Sequence, residues 1–284
     1  MIANLKASRL TLLYGESGVG KSSILGAGVM RQLHAEVATN LARHQQAAAA
    51  MTGAVEGEML ATPFAKPPIA VALFREPWKD DPVPLVMAAV QRAVEEAAGE
   101  SVPAWREGDD VVETLKTWTK TVRTILVVFD QFEEYFLYHP DDDGPETLAG
   151  ALPAVVNEPD LRVNFMLSIR EDSLAKLDRF KKDIPIFANV LRIHPLDKQA
   201  AADAIEEPLK RWKENGDGGY RAEPAFVTAV IDEVAARRGH DGGRRSSRRA
   251  PTGTRPTEPA SPRRCCSSSS HESGTRSGRS ARRC

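Results

Sequence analysis

The sequence predicts an α/β domain in which helices cover both faces of a parallel β-sheet. Short and continuously apolar runs such as Ile69–Phe74 and Ile125–Phe129 are typical of strands that are buried on both faces. Segments with helical spacing of apolar residues separate these runs. Strands that alternate with helices along the chain are typical of a parallel sheet, because each helix then forms the crossover between two parallel strands.

The predicted elements follow one another from the first strand to the last helix. The strands are Arg9–Tyr14, Ile69–Phe74, Ile125–Phe129, Arg162–Ile169 and Val190–Ile193. The helices are Lys21–Leu41, Pro84–Ala98, Val111–Arg123, Pro145–Asn157, Ser173–Phe180, Asp197–Trp212 and Pro224–Arg237. The first helix has one predicted apolar stripe, formed by Ile24, Leu25, Val29 and Leu33. Asp197 is the predicted N-cap of its helix, and residues 42–68 are interpreted as a helix end followed by a variable excursion.

The net charge of −1 combines an acidic body with a basic tail. From Arg237 onward the chain has 13 Arg, no Lys and three acidic residues, which leaves 25 basic and 36 acidic residues in the body. Nucleic-acid binding requires clustered cations, so the body argues against a specific nucleic-acid partner. All three cysteines lie in the tail, which excludes a disulfide framework or a thiolate metal site from the body.

The hydropathy pattern argues against a membrane partner. The sequence has no run of about 18 apolar residues, the length that a membrane-spanning helix needs. Residues Met1–Leu10 lack the apolar stretch and cleavage site of a secretory signal. We therefore expect a cytoplasmic location.

A glycine-rich segment matches the Walker A pattern of Gly, four residues, Gly, Lys and then Ser or Thr. It follows an apolar strand and begins a helix, which is the context that phosphate binding requires. The glycines allow backbone N–H groups to point at phosphate oxygens, Lys21 supplies a cation, and Ser22 offers a hydroxyl to Mg²⁺. The predicted phosphate-binding residues are Gly15, Glu16, Ser17, Gly18, Val19, Gly20, Lys21, Ser22 and Ser23.

Asp130 directly follows the apolar strand Ile125–Phe129 and is the predicted partner of Ser22 in holding Mg²⁺. Glu133 and Glu134 lie just beyond it, and either can orient or deprotonate an attacking water. We favour Glu134. The alternative is an apolar strand that ends in solvated acids; the Walker A motif upstream makes this the minority interpretation.

Arg170 follows the predicted strand Arg162–Ile169, which places it at the carboxyl edge of the sheet. An arginine at this edge can sense the γ-phosphate and stabilise the charge that develops during its transfer. The alternative role is a salt bridge with Glu171 or Asp172. We favour the catalytic role because of the position at the strand end.

These segments together resemble the STAND class of P-loop ATPases, the signal-transduction ATPases with numerous domains, and specifically its bacterial novel STAND NTPase branch. The resemblance covers about Ala7–Arg237 and is carried by Leu12–Ser23, Phe74–Trp78, Asp130–Phe136, Ser168–Asp172, Leu191–Leu196 and Ala204–Leu209. It implies the ASCE/AAA+-like form of the P-loop NTPase fold, with strand order 5-1-4-3-2 and a helical extension after the last strand.

The resemblance also implies a nucleotide-gated switch with ATP, ADP and Mg²⁺ as ligands. In such a switch the ADP form is inhibited, the ATP form assembles into a homo-oligomer, and slow hydrolysis resets the protein. Family members are often fused to an effector module before the core and to a sensor array, such as WD40 repeats, behind it. We expect both modules to be absent from this chain.

Three other functions remain open at the level of sequence. A P-loop phosphotransferase usually needs an Arg-rich lid, and the body shows no such cluster. A GTP-driven switch usually reads guanine with Asn/Thr-Lys-x-Asp, and this string is absent. The third is a truncated remnant that binds nucleotide weakly or not at all and has no independent activity.

We predict three regions: an NTPase core at 1–196, the truncated start of a helical extension at 197–238 and an Arg/Ser-rich tail at 239–284. The tail has almost no apolar residues to offset its conformational entropy, so we expect disorder. With suitable codons, a one-base frameshift converts Cys265–Ser277 into LLQLVISRVWDEE, an amphipathic helical segment. We therefore favour a frameshift origin over a basic nucleic-acid-binding arm, and gene sequencing tests this.

Overall fold

The computed structural model describes residues 1–52, 69–75, 77–214 and 222–243. The chain divides into two compact units, Met1–Arg221 and Ala222–Cys284. Residues 53–68 of the predicted excursion and 244–284 of the predicted disordered tail lie outside the described residues. The boundaries after residues 196 and 238 stay a prediction.

A five-stranded parallel sheet forms the centre of the first unit. The strands are β1 (Leu10–Gly15), β2 (Ala70–Phe74), β3 (Ile125–Phe129), β4 (Val163–Arg170) and β5 (Val190–Arg192). Their order across the sheet is β2-β3-β4-β1-β5, which confirms the predicted order 5-1-4-3-2. Every residue of β3 is buried, as continuous apolar runs predict for an inner strand covered on both faces.

The helices account for most of the remaining described residues. They are α1 (Ile2–Ala7), α2 (Lys21–Ser23), α3 (Arg31–Thr52), α4 (Pro82–Ala98), α5 (Val111–Trp118), α6 (Tyr135–Tyr138), α7 (Leu148–Asn157), α8 (Lys198–Glu214) and α9 (Pro224–Gly243). The segment Ile24–Met30 is π-helical and joins α2 to α3, and Glu171–Phe180 is a 3₁₀ segment after β4. Within the described ranges, no helix has both the length and the apolar character that crossing a membrane requires.

Most predicted elements are present with shifted ends. The short helix α1 is absent from the prediction because six residues are too few for a periodic pattern to be visible. Helix α3 runs to Thr52 instead of Leu41, through an alanine-rich run with high helix propensity. Helix α9 runs to Gly243 instead of Arg237, because each further residue adds one hydrogen bond to an existing helix.

The predicted apolar stripe of the first long helix is wrong at one position. Leu25, Val29 and Leu33 are buried, whereas Ile24 is 37% exposed. Ile24 begins the π-helical segment, in which hydrogen bonds span five residues instead of four. The wider turn changes the angle between successive side chains, so a stripe drawn for 3.6 residues per turn does not hold there.

Aspartate caps fix the starts of helices α4 and α8. The Asp81 carboxylate accepts a hydrogen bond from Val83 N at 3.0 Å, and the αL conformation of Gly99 ends the same helix. The Asp197 carboxylate accepts from Ala200 N at 2.8 Å, which confirms Asp197 as the predicted cap. These local hydrogen bonds satisfy backbone groups that would otherwise lack partners.

Helix α1 is attached to the sheet through the buried amide of Asn164 on β4. Asn164 Nδ2 donates to Leu5 O at 2.9 Å and to Lys6 O at 3.0 Å. A second amide, Asn189 Nδ2, donates to Thr11 Oγ1 at 2.9 Å. These bonds hold the segment before β1, and therefore the strand that leads into the glycine-rich loop.

We predict that Asn164→Ala lowers the free energy of unfolding by about 2–3 kcal/mol, because two backbone carbonyls lose a buried donor. Asn157→Ala is the matched control: its amide donates to Asp183 O at an exposed position, so the loss is expected to be about 0.5 kcal/mol. Urea unfolding of both variants measures the difference. Equal losses would contradict the anchoring role of Asn164.

Candidate nucleotide-binding site

The register of the sheet brings the predicted site segments to one edge. Gly15, at the end of β1, is paired with Arg170 at the end of β4. Asp130 follows β3, and its backbone N–H donates to Phe74 O at the end of β2 at 3.0 Å. The carboxyl ends of four adjacent strands therefore meet where ligands bind in open parallel sheets.

A cleft with a volume of about 340 Å³ lies at this edge, within the size range of small-molecule sites. It contains residues from the glycine-rich loop, from the segment after β3 and from the end of β4. The lining residues are Ser17, Gly18, Gly20, Lys21, Ser22, Ser23, Asp130, Gln131, Glu133 and Arg170. Of the predicted site residues, Gly15, Glu16, Val19 and Glu134 do not line it.

The glycines of the loop are required by its backbone shape. Gly18 has φ 72° and Gly20 has φ 95°, a left-handed conformation that glycine adopts without strain. Gly15 is required by close packing: a Cβ atom there would lie 2.6 Å from Ile193 O, just past the end of β5. The loop therefore turns tightly immediately after its strand, as the Walker A pattern predicts.

Lys21 is buried at the start of α2 and reaches back over the loop. Its Nζ donates to Gly15 O and to Glu16 O, both at 2.9 Å. Burial lowers the pKa of Lys21, with a further lowering from the positive charge of Arg170, while the Glu133 and Asp130 carboxylates act in the opposite direction. The side chain is therefore a partly desolvated cation held in the cleft.

Asp130 is 1% exposed, and its two carboxylate oxygens have different surroundings. Oδ1 accepts a hydrogen bond from Gln131 N at 3.1 Å. Oδ2 is buried and accepts no hydrogen bond within the described structure; its nearest cation is Arg75, whose Nε lies 3.3 Å away. The pair meets the distance for an ion pair without the alignment of a hydrogen bond.

The donor set fits a hard divalent cation. A buried carboxylate oxygen without a hydrogen bond, such as Asp130 Oδ2, is an unusual and costly feature unless a ligand or ion completes it. Ser22 lines the same cleft and supplies a neutral hydroxyl oxygen. Oxygen ligands of this kind, supplemented by water and phosphate, are those that Mg²⁺ prefers.

Glu133 and Glu134 have different positions relative to the cleft. Glu133 lines it and accepts a hydrogen bond from Arg170 N at 3.2 Å. Burial raises the pKa of Glu133, although this hydrogen bond and the charge of Lys21 partly oppose the shift. Glu134 precedes α6, and its carbonyl oxygen accepts from Leu137 N at 2.9 Å.

Arg170 makes the salt bridge considered from the sequence, and its side chain also lines the cleft. Its Nη2 donates to Asp172 Oδ2 at 2.6 Å, so the salt bridge is present. Its Nε is buried, and no acceptor among the described residues meets it, although the side chain lines the cleft. Glu171 instead pairs with Arg192 at 2.8 Å. The Nη2 atom of the guanidinium is therefore paired with Asp172, while the buried Nε has no acceptor among the described residues.

Buried aromatic side chains pack against one another around the segment that follows β3. Trp78 is buried and its Nε1 donates to Asp130 O at 3.3 Å. Its ring contacts Phe74, Phe132 and Tyr135 at centroid distances of 4.7, 5.5 and 6.0 Å. This packing restricts the backbone that carries Asp130 and Glu133. The sequence did not indicate this support, because its members come from two segments that are more than 50 residues apart in the chain.

Arg75 is a second residue that sequence reasoning did not place in the site. Besides its contact with Asp130, its Nη2 donates to Ser22 O at 3.3 Å. The available signal was a cation directly after a predicted strand of continuous apolar residues, at the same end of the strands as Asp130. Gln131, in the left-handed region with φ 59°, also lines the cleft and was not predicted.

Comparisons with known proteins identify the family of the chain. The family model described as Novel STAND NTPase 1 matches residues 1–240. No curated protein matches the chain. Two structures of the Aeropyrum pernix ORC2 protein are similar at 15% identity: the ADPNP–ADP complexes, with TM-score 0.45, and the ADP form, with TM-score 0.47. They cover 82% and 83% of this chain, which spans 52% and 54% of theirs, about half.

We predict that Gly15→Ala destabilises the protein by about 1–3 kcal/mol, since the added methyl group forces the backbone at Ile193 to move. Gly28→Ala is the control, because a Cβ there meets nothing within 4 Å in a helical segment. It is expected to stabilise by up to about 1 kcal/mol. Denaturant unfolding measures the change in the free energy of unfolding for both variants. If Gly15→Ala leaves this free energy unchanged, the loop does not need the close approach to Ile193.

Proposed function

Since the chain belongs to the Novel STAND NTPase 1 family, we propose that its nucleotide-binding NTPase core binds ATP and ADP with Mg²⁺ and acts as a signalling switch. The observation that carries the proposal is the convergence of Lys21, Asp130, Glu133 and Arg170 on one cleft beside the glycine-rich loop. Two cations and two carboxylates at the carboxyl edge of a parallel sheet suit a polyphosphate with its metal ion.

The phosphate groups are bound by the loop and by Lys21. Backbone N–H groups of the loop and the start of α2 provide fixed positive dipole ends for phosphate oxygens. Lys21 Nζ currently donates to two loop carbonyls, which are weak partners for an ammonium group compared with phosphate oxygens. Exchange of these partners favours the anion and keeps the Lys21 side chain in the cleft.

Ser22 and Asp130 are the proposed holders of Mg²⁺. When bound, the ion neutralises charge on the phosphate oxygens. Asp130 contributes a carboxylate that Gln131 N and Trp78 Nε1 hold from two sides, through Oδ1 and the backbone carbonyl. Such fixed ligands need little reorganisation when the ion arrives.

We propose Glu133 as the residue that orients or deprotonates the attacking water. The sequence favoured Glu134, but Glu133 is the glutamate that lines the cleft. Its raised pKa suits a general base. Arg170 is the proposed γ-phosphate sensor, since its side chain lines the same cleft and carries a positive charge.

Slow hydrolysis fits the contacts of these two residues. Glu133 is engaged with Arg170 N, and the Arg170 guanidinium is engaged with Asp172. A catalytic arrangement requires at least the second contact to weaken, which adds a conformational step before hydrolysis. The ATP-dependent homo-oligomer, and the effector and sensor modules with which such a core operates, follow from family membership and are part of the proposal.

Lys21→Ala is predicted to weaken binding of both ATP and ADP by about 100-fold or more, because a buried charge-assisted contact with phosphate is lost. Isothermal titration calorimetry with each nucleotide measures the change. Lys120→Ala removes an exposed lysine on the surface and is expected to bind as the unmodified chain does. Equal affinities of the three proteins would remove the phosphate site from this loop.

Glu133→Gln is predicted to preserve ATP binding and to slow hydrolysis by about 100-fold, the usual effect of losing a general base. Because the base acts when deprotonated and the pKa of Glu133 is raised above its ordinary value of 4.5, the rate should rise with pH through that higher pKa. The rise should be missing from the variant. Single-turnover phosphate release across pH provides the measurement.

Glu134→Gln is the matched comparison for Glu133→Gln. It changes the neighbouring carboxylate, which lies outside the cleft lining, so hydrolysis is expected to continue at the original rate. If Glu134→Gln slows hydrolysis and Glu133→Gln does not, the role belongs to Glu134, as the sequence favoured.

A further inference from the structure

Arg75 lies directly after β2 and contacts both proposed metal-binding residues. Its Nε is 3.3 Å from Asp130 Oδ2, and its Nη2 donates to the backbone carbonyl of Ser22 at 3.3 Å. The guanidinium also lies beside Gly26, where a Cβ atom would be 3.4 Å from Nη2. The cation is thus held between the segment after β3 and the helix that follows the glycine-rich loop.

The Asp130 carboxylate does not depend on Arg75 for its position. Asp130 N donates to Phe74 O, Asp130 O accepts from Trp78 Nε1, and Oδ1 accepts from Gln131 N. These three bonds fix the backbone and one carboxylate oxygen. Arg75, in contrast, is half-exposed, and its contact with Oδ2 lacks hydrogen-bond alignment. Its effect on Asp130 is therefore mainly electrostatic.

A positive charge next to Oδ2 opposes the arrival of a second cation at the same oxygen. We propose that Arg75 is a resident cation that competes with Mg²⁺ for Asp130 Oδ2 and thereby sets the metal affinity of the site. This inference rests on the proposed nucleotide-binding function. It adds a residue that controls when the site is loaded with metal, distinct from the residues that hold the metal.

The competition gives the site two charge-balanced forms. Without metal, Arg75 neutralises the buried Asp130 carboxylate, which would otherwise be costly to leave ionised. With metal, Asp130 gains a divalent partner, and Arg75 keeps its hydrogen bond to Ser22 O or turns towards solvent, which its 45% exposure allows. In either case, metal loading replaces the contact between Arg75 and Asp130 Oδ2.

The test compares Mg²⁺ affinities of the full chain and its Arg75→Gln variant at saturating ADP. Each protein is titrated with MgCl₂ after metal removal, and binding is followed by calorimetry. The variant is expected to bind Mg²⁺ about three- to tenfold more tightly, since a partly exposed charge contact is lost. Arg75→Ala is a second charge-free variant with the same expectation, and Arg75→Lys keeps the charge and should stay close to the unmodified chain.

Arg123→Gln is the matched control. Arg123 is also exposed, but it lies before β3, at the opposite end of the strand that Asp130 follows, so Mg²⁺ affinity should not change. Unchanged or weaker Mg²⁺ binding in Arg75→Gln and Arg75→Ala, with ADP binding intact, overturns the competition but leaves the proposed function standing. Failure of the unmodified chain to bind ADP overturns both.

Discussion

The hydrogen-bonded register between adjacent parallel strands is the constraint on which the site depends. Gly15 lies opposite Arg170 because β1 and β4 pair residue by residue, and Phe129 lies opposite both Phe74 and Leu167. Since all four strands point the same way, the residues that follow them collect at one edge. A shift of one residue in any of these pairs would turn the site side chains to the other face of the sheet.

The charges at this edge are arranged in partly satisfied pairs. Lys21 is bound to loop carbonyls, Arg170 is bound to Asp172, and Arg75 faces Asp130 without an aligned hydrogen bond. Among the described charged residues that line the cleft, Asp130 Oδ2 and Arg170 Nε are a buried acceptor and a buried donor without a hydrogen bond. The proposed metal–nucleotide complex would place new partners beside these two residues.

Much of the fold was accessible from the sequence because its signals are local. The apolar runs of β2 and β3 mark strands whose side chains are largely buried, and the glycine pattern of the loop reflects backbone angles that Gly18 and Gly20 adopt. Features that depend on neighbours distant in the chain were not accessible. The position of Glu133 in the cleft lining, with its hydrogen bond to Arg170 N, depends on a residue 37 positions away. The exposure of Ile24 has a local cause instead, the π-helical turn that it begins.

By itself the sequence determined that a glycine-rich loop lies between an apolar strand and a helix, and that Asp130 and Arg170 lie at the carboxyl ends of strands. These properties depend on residue type and short-range spacing, which determine the local conformation of the backbone. Only the tertiary structure decided that Arg75 lies beside the Asp130 carboxylate and that Trp78 donates a hydrogen bond to the Asp130 backbone carbonyl. It also decided which glutamate lines the cleft. Those relations arise from packing between segments that are far apart in the chain, and the spacing of residues in the sequence does not give the distance between them in space.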